Sequence, residues 1–98
     1  MDTLQLVAEP RRRAILGMIW TDELAAGEIA RRFDITFGAV SQHLRKLADS
    51  GLVSVRADGN RRLYRARPDA AGPLRDVLED MWGRSLDNLA NAVEARDE

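Results

Sequence analysis

Ninety-eight residues, 45% of them apolar, are enough for one folded domain with a modest core and exclude a disordered chain. No apolar run approaches the ~18 residues that span a bilayer, the first residues lack a signal-peptide pattern, and the absence of cysteine excludes disulfides, thiolate metal sites and redox switches. The net charge of −1 hides twelve Lys and Arg against eight Asp and Glu over residues 1–67, then three against eight over 68–98.

Local field rather than total charge governs phosphate binding, so a basic body with an acidic tail is compatible with a nucleic-acid partner. Charges that merely solvate helix faces would give the same imbalance. A cytoplasmic protein is expected.

In chain order, Leu4, Leu6 and Val7 predict a short apolar helix. Glu9-Pro10 opens a second one, with proline where its missing N–H does no harm, and Ile15, Leu16 and Ile19 form its buried face. Arg11, Arg12 and Arg13 crowd the first turn against the helix macrodipole, which asks for an external anion, an acidic neighbour or plain solvation. These two helices occupy residues 1–20. A short helix burying Ile29, Ala30 and Phe33 follows, and only Asp34, Ile35 and Thr36 separate it from the next. Two helices joined so tightly predict a helix-turn-helix over 26–51.

Residues 36–53, T-F-G-A-V-S-Q-H-L-R-K-L-A-D-S-G-L-V, are the most informative stretch. Val40, Leu44 and Leu47 form one apolar stripe of a helix. Thr36 is suited to cap it, and Ser50-Gly51 to end it. The opposite face carries Gly38, Ser41, Gln42 and Arg45, with no acid before Asp49. Short donors and a cation on one side of a helix suit a DNA major groove.

Strand-like runs at 52–57 and 63–67 flank Asp58-Gly59-Asn60, predicting a hairpin over 52–67 with Arg61, Arg62, Arg65 and Arg67 on its tip and second strand. A basic hairpin directly after a helix-turn-helix is the plan of a winged helix, whose wing lies along the DNA backbone or minor groove. A last helix is expected over 69–96, about 35 Å long. Its apolar rows are Leu74, Leu78 and Met81 with Val77 beside them, then Trp82, Leu86, Leu89 and Val93. So long an apolar face exceeds what so small a body covers. It predicts a subunit interface shared with Leu4, Leu6 and Val7, with Trp82 as its anchor. The fold class expected is mainly α with a small β-hairpin: one winged helix-turn-helix domain over 1–98, its N- and C-terminal helices forming a dimer interface.

Four segments in order, A-E-P-R-R-R-A-I-L at 8–16, G-E-I-A-R-R-F at 27–33, A-V-S-Q-H-L-R-K-L at 39–47 with S-G-L-V at 50–53, and G-N-R-R-L-Y-R at 59–65, resemble the ArsR/SmtB family of winged-helix transcriptional repressors. The resemblance implies a homodimer joined through its first and last helices on an inverted repeat. Metal-sensing members carry a cysteine pair on the first helix of the motif, or His and Asp/Glu ligands on the last helix. Here Ala25, Ala26 and Gly27 stand at the first place, and no histidine follows His43. The chain thus looks like a branch without the metal-ligand motifs; no metal or cofactor is implied, and the effector is unknown. Ala25 also stands where a Ser or Thr cap is common, and Gly38 where proline is.

The candidate DNA-binding residues are Thr36, Gly38, Ser41, Gln42, His43, Arg45, Arg61 and Arg62. Gln42 suits adenine and Arg45 guanine. For His43, packing on neighbouring structure stands beside DNA contact. Arg65 and Arg67 have acids of the same chain as alternative partners. Trp20 and Trp82 suit a core or an interface. One histidine and no paired acid and base leave no catalytic constellation, so no enzyme is expected. The function expected is a homodimeric, sequence-specific repressor binding double-stranded DNA. The alternative is a winged-helix protein-interaction module that does not bind DNA.

Overall fold

Reciprocal capping starts the chain's first helix in the structure, a computed structural model that describes residues 2–83. The Asp2 carboxylate accepts the Gln5 N–H at 2.8 Å, and Gln5 Oε1 accepts the Asp2 N–H at 3.1 Å, opening α1 (Thr3–Ala8). Glu9 then ends α1 and caps α2 (Pro10–Met18), accepting the N–H groups of Arg11 and Arg12 at 3.2 and 2.8 Å.

The crowded arginines find their partners here. Arg12 Nε donates to the Leu6 carbonyl at 2.9 Å, and Arg13 Nη1 donates to the Val7 carbonyl at 3.0 Å. Cations that oppose the dipole of α2 thereby close the carbonyl end of α1, where positive charge is favourable. Arg12 is only 7% exposed, so neither an outside anion nor bulk solvent accounts for it.

Leu24 and Ala25 form a two-residue strand, β1 (Leu24–Ala25), too short to show a strand period. It leads directly into α3 (Ala26–Phe33). Ala25 offers this helix no side-chain cap; instead Glu28 reaches back to accept the Ala25 N–H at 3.3 Å. Asp34 adopts the left-handed conformation that turns the chain, at φ 55° and ψ 39°.

Thr36 then caps α4 (Phe37–Asp49), its Oγ1 accepting the Ala39 N–H at 3.1 Å. At the far end the Leu52 N–H donates to the Leu47 carbonyl and the Gly51 N–H to that of Ala48, both at 3.0 Å. These are the two bonds of a Schellman motif, and Gly51 at φ 87° supplies its left-handed residue.

Strands β2 (Val53–Asp58) and β3 (Arg61–Ala66) pair antiparallel from Val53 opposite Ala66 to Asp58 opposite Arg61. The pairing runs closer to the tip than the sequence suggests. Gly59 at φ 62° lets two residues, Gly59 and Asn60, close the hairpin. β1 adds to the other side of β3, giving a three-stranded sheet of order β1-β3-β2. The fold is thus a winged helix-turn-helix, with five α-helices and one small antiparallel sheet among the described residues.

Ile15 and Leu16 of α2 and Ile19 just after it lie at the centre of the core, with Ile29 of α3, Val40, Leu44 and Leu47 of α4, and Leu52 and Val53 at the base of the hairpin. The Ala66 N–H donates to the Ile19 carbonyl at 2.8 Å, fixing the hairpin to the end of α2, and the Arg67 N–H donates to the Leu52 carbonyl at 2.7 Å, closing the base of the hairpin.

An uninterrupted helix over 69–96 is not what forms. A 3-10 turn (Pro68–Ala71) and Gly72 at φ 58° come first, so α5 (Leu74–Met81) starts at Leu74. Gly83 at φ 69°, donating to the Asp80 carbonyl at 3.1 Å, stops it in the same left-handed way as Gly51 stops α4. Leu86, Leu89 and Val93 lie outside the described residues.

The apolar residues expected at an interface divide into two groups. Leu6, Val7 and Leu78 are buried in the chain's own core, and Leu74 and Trp82 pack against that core. Trp82 meets the Trp20 ring edge-on, 5.0 Å between centroids at 65°. It lies so close over Gly17 that a Cβ there would be 2.9 Å from its Cε2. The indole of Trp20 in turn donates to Glu79 at 2.8 Å. Trp82 therefore anchors α5 to its own domain. Leu4, Val77 and Met81 remain exposed, at 63%, 52% and 57%.

Candidate nucleic-acid interface

An open groove of about 930 Å³ separates the hairpin from the helix pair α3 and α4. From α4 it is lined by Phe37, Ser41, Gln42 and Arg45, from α3 by Gly27, Glu28 and Arg31, and from the hairpin by Val55, Asn60, Arg61, Arg62 and Tyr64. The stripe Val40, Leu44 and Leu47 fixes which way α4 rolls. With those three fully buried, Ser41, Gln42 and Arg45 turn toward the groove.

Five of the eight residues singled out from the sequence thus share one cleft. Thr36 and Gly38 are exposed at its N-terminal end without lining it. The Thr36 hydroxyl is engaged in the helix cap. At Gly38 an added Cβ would meet nothing within 4 Å, so that surface is open to close backbone approach.

His43 is the exception. Two residues before Arg45 on a helix places it about 160° round the axis from that side chain. It faces Glu9 instead, with Nδ1 3.9 Å from Oε2, and that buried nitrogen has no hydrogen-bond partner among the described residues. Burial holds the imidazole below its ordinary pKa of 6.5, against the pull of Glu9 and helped by Arg12, Lys46 and Arg11. Burial pushes the pKa of Glu9 the other way, upward, but the N–H groups of Arg12 and Arg11 outweigh it and hold that carboxyl below its ordinary 4.5.

The sign of the pH response follows from these directions. The folded state prefers neutral His43, so its contribution is present above pH 6.5 and is lost as pH falls below that value. Glu9 adds a second loss beginning near 4.5. Lowering the pH from 7.5 to about 5 should therefore lower the melting temperature. In His43→Gln the drop should be smaller, and thermal unfolding across that window measures both. An equal drop in the two proteins would contradict the assignment.

The groove's charge is set by Arg31, Arg45, Arg61 and Arg62 against Glu28 and Asp49. Arg61 leans on Glu28 at 3.6 Å and Asp58 at 3.9 Å, loose exposed pairs worth about 0–1 kcal/mol that a phosphate could replace. Arg45 and Arg62 make no ion pair with any described residue. Arg56 is committed elsewhere. It crosses the sheet to Glu23 with two charge-assisted bonds of 3.1 and 2.6 Å. That bond holds the Glu23 carboxyl below its ordinary pKa and raises the Arg56 guanidinium.

Arg65 makes no ion pair with any described residue, and Arg67 donates weakly to the Gly51 carbonyl at 3.5 Å rather than to an acid. No three carboxylate or imidazole groups cluster as metal ligands among the described residues. Nor is any described helix long and apolar enough to cross a membrane.

Sequence reasoning passed over Arg31, Tyr64 and Phe37 as groove residues. The helical pattern of α3 locates its buried side but not which arginine meets the hairpin. Phe37 is concealed by its spacing of three and seven from Val40 and Leu44, which assigns it to the buried stripe. It is 61% exposed because the helix begins there, beyond the edge of the core.

What the groove offers is a row of short donors with uncommitted guanidinium groups on both walls, a surface suited to a polyanion with readable edges. Comparison with known proteins agrees. Residues 7–56 match the helix-turn-helix domain family. The chain is 37% identical over 91 residues to the HTH-type transcriptional regulator Rv2034 of Mycobacterium tuberculosis, covering 93% of this chain and 85% of that protein.

Among solved structures it resembles a "possible transcriptional regulator for arsenical resistance", with a TM-score of 0.71 and 36% identity over 94% of this chain and 96% of the other. It also resembles a homodimeric winged helix-turn-helix DNA-binding domain of a possible ArsR-family transcriptional regulator from Mycobacterium bovis. There the TM-score is 0.70, with 26% identity over 86% of this chain and 78% of that one.

Proposed function

Because this chain belongs to the ArsR-like family of helix-turn-helix transcriptional regulators, we propose that it is a homodimeric repressor that binds an inverted-repeat operator. In this reading α4 enters the major groove, where Ser41, Gln42 and Arg45 meet base edges and Gly38 lets the backbone come close. Arg61 and Arg62 hold the phosphate backbone from the hairpin, and Thr36 serves the helix cap. The observation that carries the reading is the single groove in which α4 donors face uncommitted hairpin and helix arginines. Its place of action is the cytoplasm, where the DNA is.

Dimerisation is supported by the homodimeric Mycobacterium bovis domain and by the exposed apolar residues Leu4, Val77 and Met81. Regulation independent of metal, by the family's usual sites, is supported by the lack of cysteine and the single histidine, which faces Glu9. Being a regulator, the chain has no call for a catalytic group, and none of its groove residues is arranged as one.

Selection of bound duplexes from a random DNA pool tests the whole reading. The expected product is a palindrome whose half-sites lie about 10–10.5 base pairs, or a multiple, apart. Enrichment of a lone half-site would overturn the dimeric part, and no enrichment the DNA-reading part. Placed before a reporter promoter, the selected site should lower expression when the protein is present.

A further inference from the structure

We propose that Phe37 is a specificity-determining residue that packs on the 5-methyl group of a thymine in each operator half-site. The inference rests on the DNA-binding reading above and deepens it.

Phe37 is the first residue of α4, directly after the Thr36 cap, and is 61% exposed. Its ring is not part of the core cluster, whereas Phe33 and Ile35 just before it are packed against that core. Nothing in the fold asks for an aromatic side chain there, since exposed helix positions gain nothing from a ring. Nor does it belong to the surface offered to a second copy. Met81 and Trp82 line a separate shallow groove with Pro10, Arg13 and Gly17.

Phe37 instead lines the groove with Ser41 and Arg45, one and two turns further along the same helix. The N-terminal residues of a recognition helix are those that meet base edges. In the major groove polar donors and acceptors dominate the edges of all four bases. Thymine adds a methyl group, which apolar side chains including phenylalanine contact. A large apolar ring at the tip of an otherwise polar row therefore matches one feature of the DNA surface.

The test uses the duplex selected by the wild-type protein, with each thymine of a half-site replaced in turn by deoxyuridine. That change removes the methyl and leaves the hydrogen-bonding edge intact. At one position wild type should lose about fourfold in affinity, the worth of one buried methyl-sized group, and about fifteenfold when both half-sites are changed. Phe37→Ala should bind the thymine and uracil duplexes alike, while melting as wild type does because the ring is exposed.

Wild type indifferent to uracil at every position, or Phe37→Ala retaining the same loss, would overturn the proposal. Such a result, with operator still preferred over random DNA, leaves the DNA reading standing. Equal affinity of wild type for operator and random DNA removes both.

Discussion

Replacing Val77 and Met81 together by aspartate should give a folded monomer that no longer holds its operator. The two residues are four apart on α5 and share a face, both more than half exposed. Leu78, between them in sequence, points the other way and is 2% exposed. A two-fold interface repeats each substitution, so one double variant confronts the dimer with four carboxylates. Burying unpaired charges costs several kcal/mol each, more than a small interface can offset.

Operator affinity should fall by roughly 10²–10⁴-fold, the advantage of binding a second half-site intramolecularly. Light scattering and duplex binding measure the two effects, and an unchanged melting curve shows that the fold is intact. Trp82→Asp would be a poorer probe, because it breaks the contact with Trp20 within one chain. A double variant that stays dimeric would move the interface away from α5.

Arg62→Ala should weaken binding to DNA of every sequence by a similar factor. Arg62 is the second residue of β3 from the hairpin tip, exposed, lining the groove and without an ion pair to any described residue. A free guanidinium so placed is available to phosphate from the outset. Removing one phosphate contact lowers the slope of log affinity against log salt by about 1, so by about 2 in a dimer.

Arg56→Ala is the matched control. It removes the same charge from the other strand of the hairpin, but that guanidinium is already held by Glu23. Its salt slope should hardly move. Equal changes in the two variants would mean that the hairpin acts through net charge rather than through Arg62.

The helix that reads DNA in this account was legible because its signals are local. Thr36 and Gly51 mark its ends, and Val40, Leu44 and Leu47 set its roll. The hairpin was legible from Gly59 and the arginines around it. What stayed hidden depends on neighbours distant in sequence. β1 exists only because β3 pairs with Leu24 and Ala25. The crowding of Arg12 and Arg13 fits an anion, an acidic neighbour or solvation equally in sequence, and they serve the carbonyls of α1, six residues back.

His43 shares a motif with Gln42 but faces Glu9, since one residue along a helix turns the side chain by about 100°. Periodicity assigns the whole apolar row of the last helix to a partner, because it does not distinguish a face covered by the chain itself from one left open. Leu78 and Val77 are adjacent and belong to the two different cases.

In this reading α4 recognises sequence through the groove. The most direct test compares wild type and Gln42→Ala on the selected operator and on random duplex at one salt concentration. Gln42 is exposed, so its removal should spare the fold. The ratio of the two affinities should fall by roughly five- to 150-fold per half-site, the worth of one bidentate base contact, with affinity for random DNA nearly unchanged. A ratio equal to that of wild type would contradict the account.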